Sequence, residues 1–178
     1  MRKKKGMKNA VQKVLALLLI LGMVCSVMPA GVVLAESGYT DIDDAVVTTT
    51  GELFKIQYEP SSRWHAESGY SNLFFDGTDH YSDSGTTEDY YEMKFIGTGI
   101  EIYASKNKAH ADCDVYVDGV KVGEVLAEIT GTTVHKQKLF EKTDFENGEH
   151  TLKVVRKSGE TKALQLDKIR VYHETLTA

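Results

Sequence analysis

Three polar segments of the chain carry aromatic or imidazole side chains beside groups that hydrogen-bond in fixed directions. They are SSRWHAESGYS, which holds the only tryptophan, DGTDHYSDSGTT and SKNKAHAD. A ligand with apolar C–H faces and a ring of hydroxyl groups, such as a sugar, requires an aromatic surface and a few planar polar groups. The candidate ligand-binding residues on these segments are Trp64, His65, His80, Tyr81, Lys106, Asn107 and His110.

Each segment also has an interpretation without a ligand. Trp64 either stacks against a ligand or covers the core, since large aromatic side chains are usually mostly buried. Tyr81 either contacts the ligand or packs. SKNKAHAD is either a binding loop, in which Lys106 and Asn107 suit hydroxyls or a carboxylate, or a solvated turn. His150, in GEHTL, alternates toward the sheet, so we expect a structural role for it.

The sequence lacks the common catalytic motifs G-x-S-x-G, H-E-x-x-H, the P-loop and the glycine-rich dinucleotide turn. A glycosidase needs two carboxylates about 5–10 Å apart across a sugar, and no such pair is visible. We therefore expect a binding protein and not an enzyme. The alternatives are a structural or adhesive module that contacts a protein, favoured if Trp64 is buried, and a small glycoside hydrolase.

The elements that must hold these segments have the pattern of β-strands. Short runs with period-two alternation, separated by Gly, Asp, Asn and Ser, predict strands, and Asp118-Gly119 and Asn147-Gly148 predict two-residue hairpin turns. YYEMKFI should point Tyr91, Met93 and Phe95 inward. The predicted strands are LFKIQYE, NLFFD, DYYEMKFI, GIEIYAS, DCDVYVD, VKVGEVL, HKQKLFEKT, EHTLKVVRK and KALQLDKIRVY. Strands without helices predict an all-β, antiparallel two-sheet β-sandwich, because each sheet must bury its apolar face.

The first residues predict export. Residues 1–35 combine a basic start, the apolar run VLALLLILGMVCSVM and small residues before a cleavage point, as secretory signal peptides do. The apolar run is shorter than the roughly 20 residues of a membrane span. We therefore expect a secreted, extracellular protein that does not insert into the membrane after cleavage; the alternative is that this segment is kept as a membrane anchor.

The remaining chain divides into a linker or leader at 36–51, a β-sandwich at 52–174 and a tail at 175–178. Six of the 21 basic residues and none of the 26 acidic residues precede residue 36, so cleavage would change the net charge from −5 to −11. Such a chain lacks the basic face that nucleic acid requires. Cys113 would remain without a second cysteine, so we expect it to be a small core residue; the alternative is a reactive thiol. We expect the protein to be a monomer.

Residues 52–173 resemble the galactose-binding-domain-like β-sandwiches, which include carbohydrate-binding modules of secreted bacterial polysaccharide-degrading enzymes. The motifs that carry the resemblance are FIGTGIEIY, VYVDG, NGEHTLKV and LDKIRV, in that order. The resemblance implies a jelly roll with a non-catalytic role: binding a carbohydrate or polysaccharide while fused to, or acting beside, a glycan-degrading enzyme.

A narrower likeness concerns calcium. Carbohydrate-binding modules of families 6 and 35 hold a structural Ca²⁺ with a Gln/Glu-x-Glu motif in the first strand and an Asp in the last. The matching positions here are Gln57, Glu59 and Asp167, although EPSSRW after the motif departs from those families. Ca²⁺ prefers such oxygen ligands, so the resemblance implies a structural calcium ion. The alternative is a solvated acid beside a strand end.

Overall fold

The computed structural model describes residues 33–34 and 38–174, and these residues form β-strands, turns and two 3₁₀ turns, at Ser61–Arg63 and Phe75–Gly77. The strands are β1 (Val33–Leu34), β2 (Tyr39–Asp43), β3 (Ile56–Glu59), β4 (Trp64–Ser68), β5 (Thr78–Ser82), β6 (Tyr90–Gly97), β7 (Gly99–Lys106), β8 (Cys113–Val117), β9 (Val120–Val125), β10 (Val134–Lys142), β11 (Gly148–Arg156), β12 (Gln165–Leu166) and β13 (Lys168–Tyr172). Within this part of the chain no helix is long and apolar enough to cross a membrane.

The strands form two five-stranded antiparallel sheets and a smaller third sheet. The first has the order β1-β2-β13-β7-β10, the second β3-β6-β11-β8-β9, and the third β12-β5-β4. From β6 onward the chain passes repeatedly from one large sheet to the other, which is the connectivity of a jelly roll. The predicted antiparallel β-sandwich is therefore confirmed.

One hydrophobic core joins the two large sheets. Tyr91, Met93 and Phe95 are at most 1% exposed, as predicted, and the first sheet opposes them with residues such as Ile102. Cys113 is buried in the same core, and burial raises the pKa of its thiol. The alternation of apolar and polar residues along the sequence predicts this burial, because successive side chains of a strand point to opposite faces.

The two predicted hairpin turns have different outcomes. Asp118 and Gly119, with φ of 52° and 77°, join β8 to β9 as a hairpin turn with both central residues left-handed. The prediction of a hairpin turn at Asn147-Gly148 is wrong, because β10 and β11 lie in different sheets. Residues 143–147 cross between those sheets, held by the Phe145 amide donating to the Thr98 carbonyl oxygen at 3.0 Å.

The N-terminal boundary of the sandwich is corrected. Tyr39–Asp43, within the predicted linker 36–51, pairs with β13 in the first sheet, and Thr40 and Ile42 are buried. The outward-facing Asp41 accepts hydrogen bonds from Arg170, so one face of the strand is polar. The hydropathy of the sequence therefore does not reveal that the other face is buried. The predicted signal peptide, apart from Val33–Leu34, and the predicted tail lie outside the described residues.

Three other sequence predictions are also corrected. The run NLFFD is a turn followed by a 3₁₀ turn and not a strand. Trp64–Ser68 and Thr78–Ser82, which were expected to be loops, are the paired strands β4 and β5 of the third sheet. This third sheet forms one wall of the candidate site.

Candidate functional site

A cleft of about 300 Å³ lies beside the third sheet. Its walls come from β4, β5, the end of β7, the turn that follows β7 and the start of β10. The lining residues are Glu67, Phe74, Asp79, Tyr81, Ser84, Ser105, Asn107, Ala109, His110, Thr133, His135 and Ala163. The structure therefore brings together three predicted ligand-binding residues, Tyr81, Asn107 and His110.

Asn107 builds the turn after β7. Its Oδ1 accepts a hydrogen bond from the amide of Ala109 at 2.9 Å, and its Nδ2 donates to Thr133 Oγ1 at 3.0 Å. The first contact is the local side-chain turn that asparagine favours, and the second ties the turn to the segment before β10. Asn107 thus shapes the cleft with hydrogen bonds to the protein itself.

His110 presents a hydrogen-bond acceptor. Its Nδ1 donates to the Ser105 carbonyl oxygen at 2.9 Å, because a carbonyl can only accept. Burial lowers the pKa of His110, so the neutral imidazole has a lone pair on Nε2. This side chain of the SKNKAHAD segment therefore lines the cleft in one fixed tautomer.

A β-bulge brings a second histidine to the cleft. The register of β10 against β7 shifts between Val134 and Gln137, and Lys136 has a left-handed φ of 56°. His135, inside this bulge, has its Nδ1 3.0 Å from Ser105 Oγ and packs edge-on against Phe74. Bulges often re-aim side chains in this way, and no local sequence signal marks this one.

Asp79 is the unusual polar group of the cleft. It is 4% exposed; its Oδ2 accepts from Gln165 Nε2 at 3.2 Å, and its Oδ1 has no hydrogen-bond partner among the described residues. Burial raises the pKa of Asp79 to about 6. A buried, unpaired carboxylate oxygen is costly, so this group is held in the cleft wall at the expense of stability.

Glu67 and Tyr81 form the outer part of the same wall. Glu67 is exposed and is the cross-strand partner of Asp79. Tyr81 is half-buried, and its hydroxyl lies 3.4 Å from Glu67 Oε1. With the buried ring of Phe74, Tyr81 adds an aromatic surface beside the carboxylates.

The pleat of the third sheet separates the predicted residues. Trp64, Ala66 and His80 line a different hollow of about 380 Å³, while Glu67, Asp79 and Tyr81 line the cleft. Adjacent residues of a strand face opposite sides. His80 and Tyr81 were both expected in one loop, but as neighbours in β5 they cannot share one small ligand.

Trp64 is half-buried and covers the core. Its ring centroid is 4.6 Å from that of Tyr58 and 6.1 Å from that of Tyr91, and its Nε1 donates to the Glu59 carbonyl oxygen at 3.2 Å. His80 stacks on the same Tyr58 with centroids 4.5 Å apart. These contacts anchor the Trp64 ring against the core, while the same residue also lines the 380 Å³ hollow.

The remaining predicted ligand residues lie outside the cleft. His80 Nδ1 donates to Asp44 Oδ2 at 2.5 Å. His65 is exposed, with its Nε2 2.8 Å from Asp83 Oδ1. Lys106 ends β7 and does not line the cleft.

The predicted calcium ligands make hydrogen bonds within the protein. Gln57 Nε2 donates to Glu59 Oε1 at 2.9 Å on the face of β3 opposite the buried Tyr58. Asp167 is buried, accepts from the Phe75 amide at 2.8 Å, and has a pKa raised by burial to about 7. Over residues 33–34 and 38–174 there is no group of three or more His, Cys, Asp or Glu placed to hold a metal ion. Calcium binding stays a prediction from the resemblance.

A buried ion-pair network fixes the loop beside the cleft. Asp89, fully buried, accepts hydrogen bonds from Arg63 Nε at 2.7 Å and from Arg156 Nη2. Arg156 Nη2 also donates to Ser82 Oγ and to the Asp83 carbonyl oxygen. These contacts hold the segment between β5 and β6, which contributes Ser84 to the cleft wall.

Comparison with known proteins finds no matching protein-family model. The chain is 34% identical over 92 residues to the A type blood N-acetyl-α-D-galactosamine deacetylase of Flavonifractor plautii, covering 52% of this chain and 11% of that protein. It is 36% identical over 67 residues to the A type blood α-D-galactosamine galactosaminidase of the same organism, covering 38% and 6%. The matched segment therefore spans only a small part of either relative.

The chain is also similar to several solved structures. The CBM36-1 domain of a multidomain xylanase from the hindgut metagenome of Trinervitermes trinervoides aligns with 76% of this chain and 98% of that chain, at 13% identity and a TM-score of 0.41. A Paenibacillus xanthan lyase aligns with 62% of this chain and 12% of its own, at 13% identity and a TM-score of 0.48. A family two carbohydrate esterase from Cellvibrio japonicus aligns with 76% and 34%, at 17% identity and 0.46.

Proposed function

We propose that this protein binds carbohydrate, without catalysis, in the cleft beside the third sheet. The observation that carries the proposal is the combination of an aromatic surface, from Tyr81 and Phe74, with the acceptors of Asp79 and His110 in one concave site. Aromatic rings pack against the C–H faces of sugars, and fixed polar groups select the arrangement of hydroxyls.

The rigidity of the site supports recognition of a defined ligand. Asp79 and Tyr81 project from a paired strand, and His110 is anchored to the Ser105 carbonyl oxygen. Groups held in this way lose little conformational freedom when a ligand binds. Because one small cleft buries little area, we expect modest affinity for each site.

The placement of the two cleft carboxylates favours binding over hydrolysis. Glu67 and Asp79 are cross-strand partners on adjacent strands of one wall, with the short separation typical of such pairs. A glycoside hydrolase needs its two carboxylates on opposite sides of the scissile bond. Two groups side by side on one wall can instead accept hydrogen bonds from neighbouring substituents of one sugar.

The relatives give independent support for a carbohydrate ligand. Two proteins that share a segment with this chain are named for A type blood N-acetyl-α-D-galactosamine and A type blood α-D-galactosamine. We propose that this chain is secreted through the predicted signal peptide, remains a monomer and acts beside a glycan-degrading enzyme. Holding an enzyme near its substrate raises the effective concentration without adding catalytic groups.

A glycan array probed with the purified protein tests the proposal, with Tyr81→Ala as the cleft variant and Glu149→Gln as the control. Glu149 is exposed on the second sheet and does not line the cleft. We expect array binding that Tyr81→Ala abolishes and Glu149→Gln preserves. A blank array from folded protein would contradict the proposal, and release of reducing ends would show a hydrolase instead.

Calcium is tested on the same samples in Ca²⁺ and in EDTA. If a structural ion is bound, as we propose from the resemblance, EDTA should lower the melting temperature while the protein that remains folded still binds sugar. Equal melting temperatures in the two buffers would contradict calcium binding.

A further inference from the structure

The charged groups of the cleft all have the same sign. Its lining includes the carboxylates of Glu67 and Asp79, whereas neither Lys nor Arg lines it among the described residues. A cation inside the cleft would therefore meet no positive side chain.

Several potential donors of the cleft are already used within the protein. Asn107 Nδ2 donates to Thr133, and His110 Nδ1 donates to the Ser105 carbonyl oxygen. His110 Nε2 is left as an acceptor. A ligand that meets the carboxylates and His110 Nε2 would therefore need donors of its own.

One carboxylate oxygen of Asp79 has no hydrogen-bond donor in the described part of the chain. Asp79 is 4% exposed, it lines the cleft, and its Oδ1 has no partner among the residues that the structure describes. Buried polar atoms are almost always paired, so an unpaired one calls for an explanation such as a missing ligand. A positively charged N–H donor forms the strongest hydrogen bonds with a carboxylate.

We propose that the cleft selects sugars with a free, protonated amino group over their N-acetylated and neutral counterparts. The ammonium group of a hexosamine would donate to Asp79 and Glu67, which are adjacent on one wall. N-acetylation removes the charge and adds a carbonyl oxygen that needs a donor, and the cleft offers acceptors at this wall. The inference rests on the proposed carbohydrate-binding function and specifies its ligand.

Calorimetric titration of the purified protein at pH 7 with galactosamine and glucosamine, their N-acetyl derivatives, and galactose tests this specificity. Oligosaccharides of the same residues serve as stronger probes. We expect the amino sugars to bind about tenfold or more tightly than the N-acetylated ones, as for a charge-assisted hydrogen bond. Asp79→Asn and Glu67→Gln should each remove most of that preference.

Two controls separate the possible outcomes. Glu149→Gln removes one exposed carboxylate away from the cleft and should keep the preference, whereas a preference lost there would reveal attraction by net charge alone and overturn the inference. Glu67 is exposed, so Glu67→Gln tests the same pair of carboxylates without changing a buried position. Equal or tighter binding of N-acetylated or neutral sugars, still lost in Tyr81→Ala, would overturn the amino-sugar inference alone. No binding of any sugar would overturn the proposed function as well.

Discussion

Replacing Asp79 by Asn should stabilise the protein at neutral pH. The ordinary pKa of an aspartate is 3.8, and burial raises that of Asp79 to about 6. Each pKa unit corresponds to about 1.4 kcal/mol, so ionising this carboxylate in the folded state costs up to about 3 kcal/mol. Asn has the shape of Asp and carries no charge, and its Oδ1 can still accept from Gln165 Nε2.

The pH dependence has a definite sign. Because the folded state binds the Asp79 proton more tightly than the unfolded state, its contribution to stability is fully present below about pH 4 and is lost as the pH rises through about 6. Asp79→Asn should therefore match the parent protein near pH 4. It should exceed it in the free energy of unfolding by up to about 3 kcal/mol above pH 7.

Urea unfolding of both proteins at pH 4, 5, 6 and 7 measures this difference, with the fluorescence of Trp64 as the signal because that ring packs against Tyr58. Subtracting the two curves removes the titration of every group that the proteins share. A difference that does not grow with pH, or a variant that is less stable than the parent at pH 7, would refute the argument that burial strains this carboxylate.

Further substitutions test the packing around the site. Asp89→Ala should lower the free energy of unfolding by about 3–5 kcal/mol in urea, because it leaves the buried Arg156 without its carboxylate; a loss below about 1 kcal/mol would contradict a buried ion pair. Gly97→Ala should lower the melting temperature, since a Cβ there would overlap the Tyr172 carbonyl oxygen; an unchanged temperature in calorimetry would disprove that close approach. Trp64→Ala should cost about 2–4 kcal/mol yet leave sugar affinity unchanged in calorimetric titration, and a lost affinity in folded protein would make Trp64 a ligand platform after all.

Alternation along the sequence predicts much of the fold. The runs around Tyr91, Ile102 and Val115 place one apolar side chain inward at every second residue, and burial follows that period. The alternation of apolar and polar residues does not reveal β2, β4 and β5, because their buried or paired positions include polar residues. Thr40 in β2 and Asp79 in β5 are both buried, so hydropathy alone does not mark these strands.

The candidate site was predictable only in part. Tyr81, Asn107 and His110 lie in polar segments of the sequence, which predicts a binding role for them, and the structure brings them to one cleft. Asp79 resembles any other acid in the sequence, since only its burial and its missing partner distinguish it. His135 reaches the cleft through a bulge in a strand that pairs with β7 over a long sequence separation. These properties arise from tertiary structure and leave no local pattern.

The most direct test of carbohydrate binding in this cleft is chemical-shift mapping. The purified, ¹⁵N-labelled protein is titrated with an amino-sugar oligosaccharide, and the backbone amide shifts are followed by NMR. If a sugar binds in this cleft, the largest shifts should fall on Glu67, Asp79, Tyr81 and residues 107–110, and they should reach saturation. Saturable shifts centred instead on the outer face of the second sheet, around Tyr116, or no shifts in a well-folded sample, would contradict it.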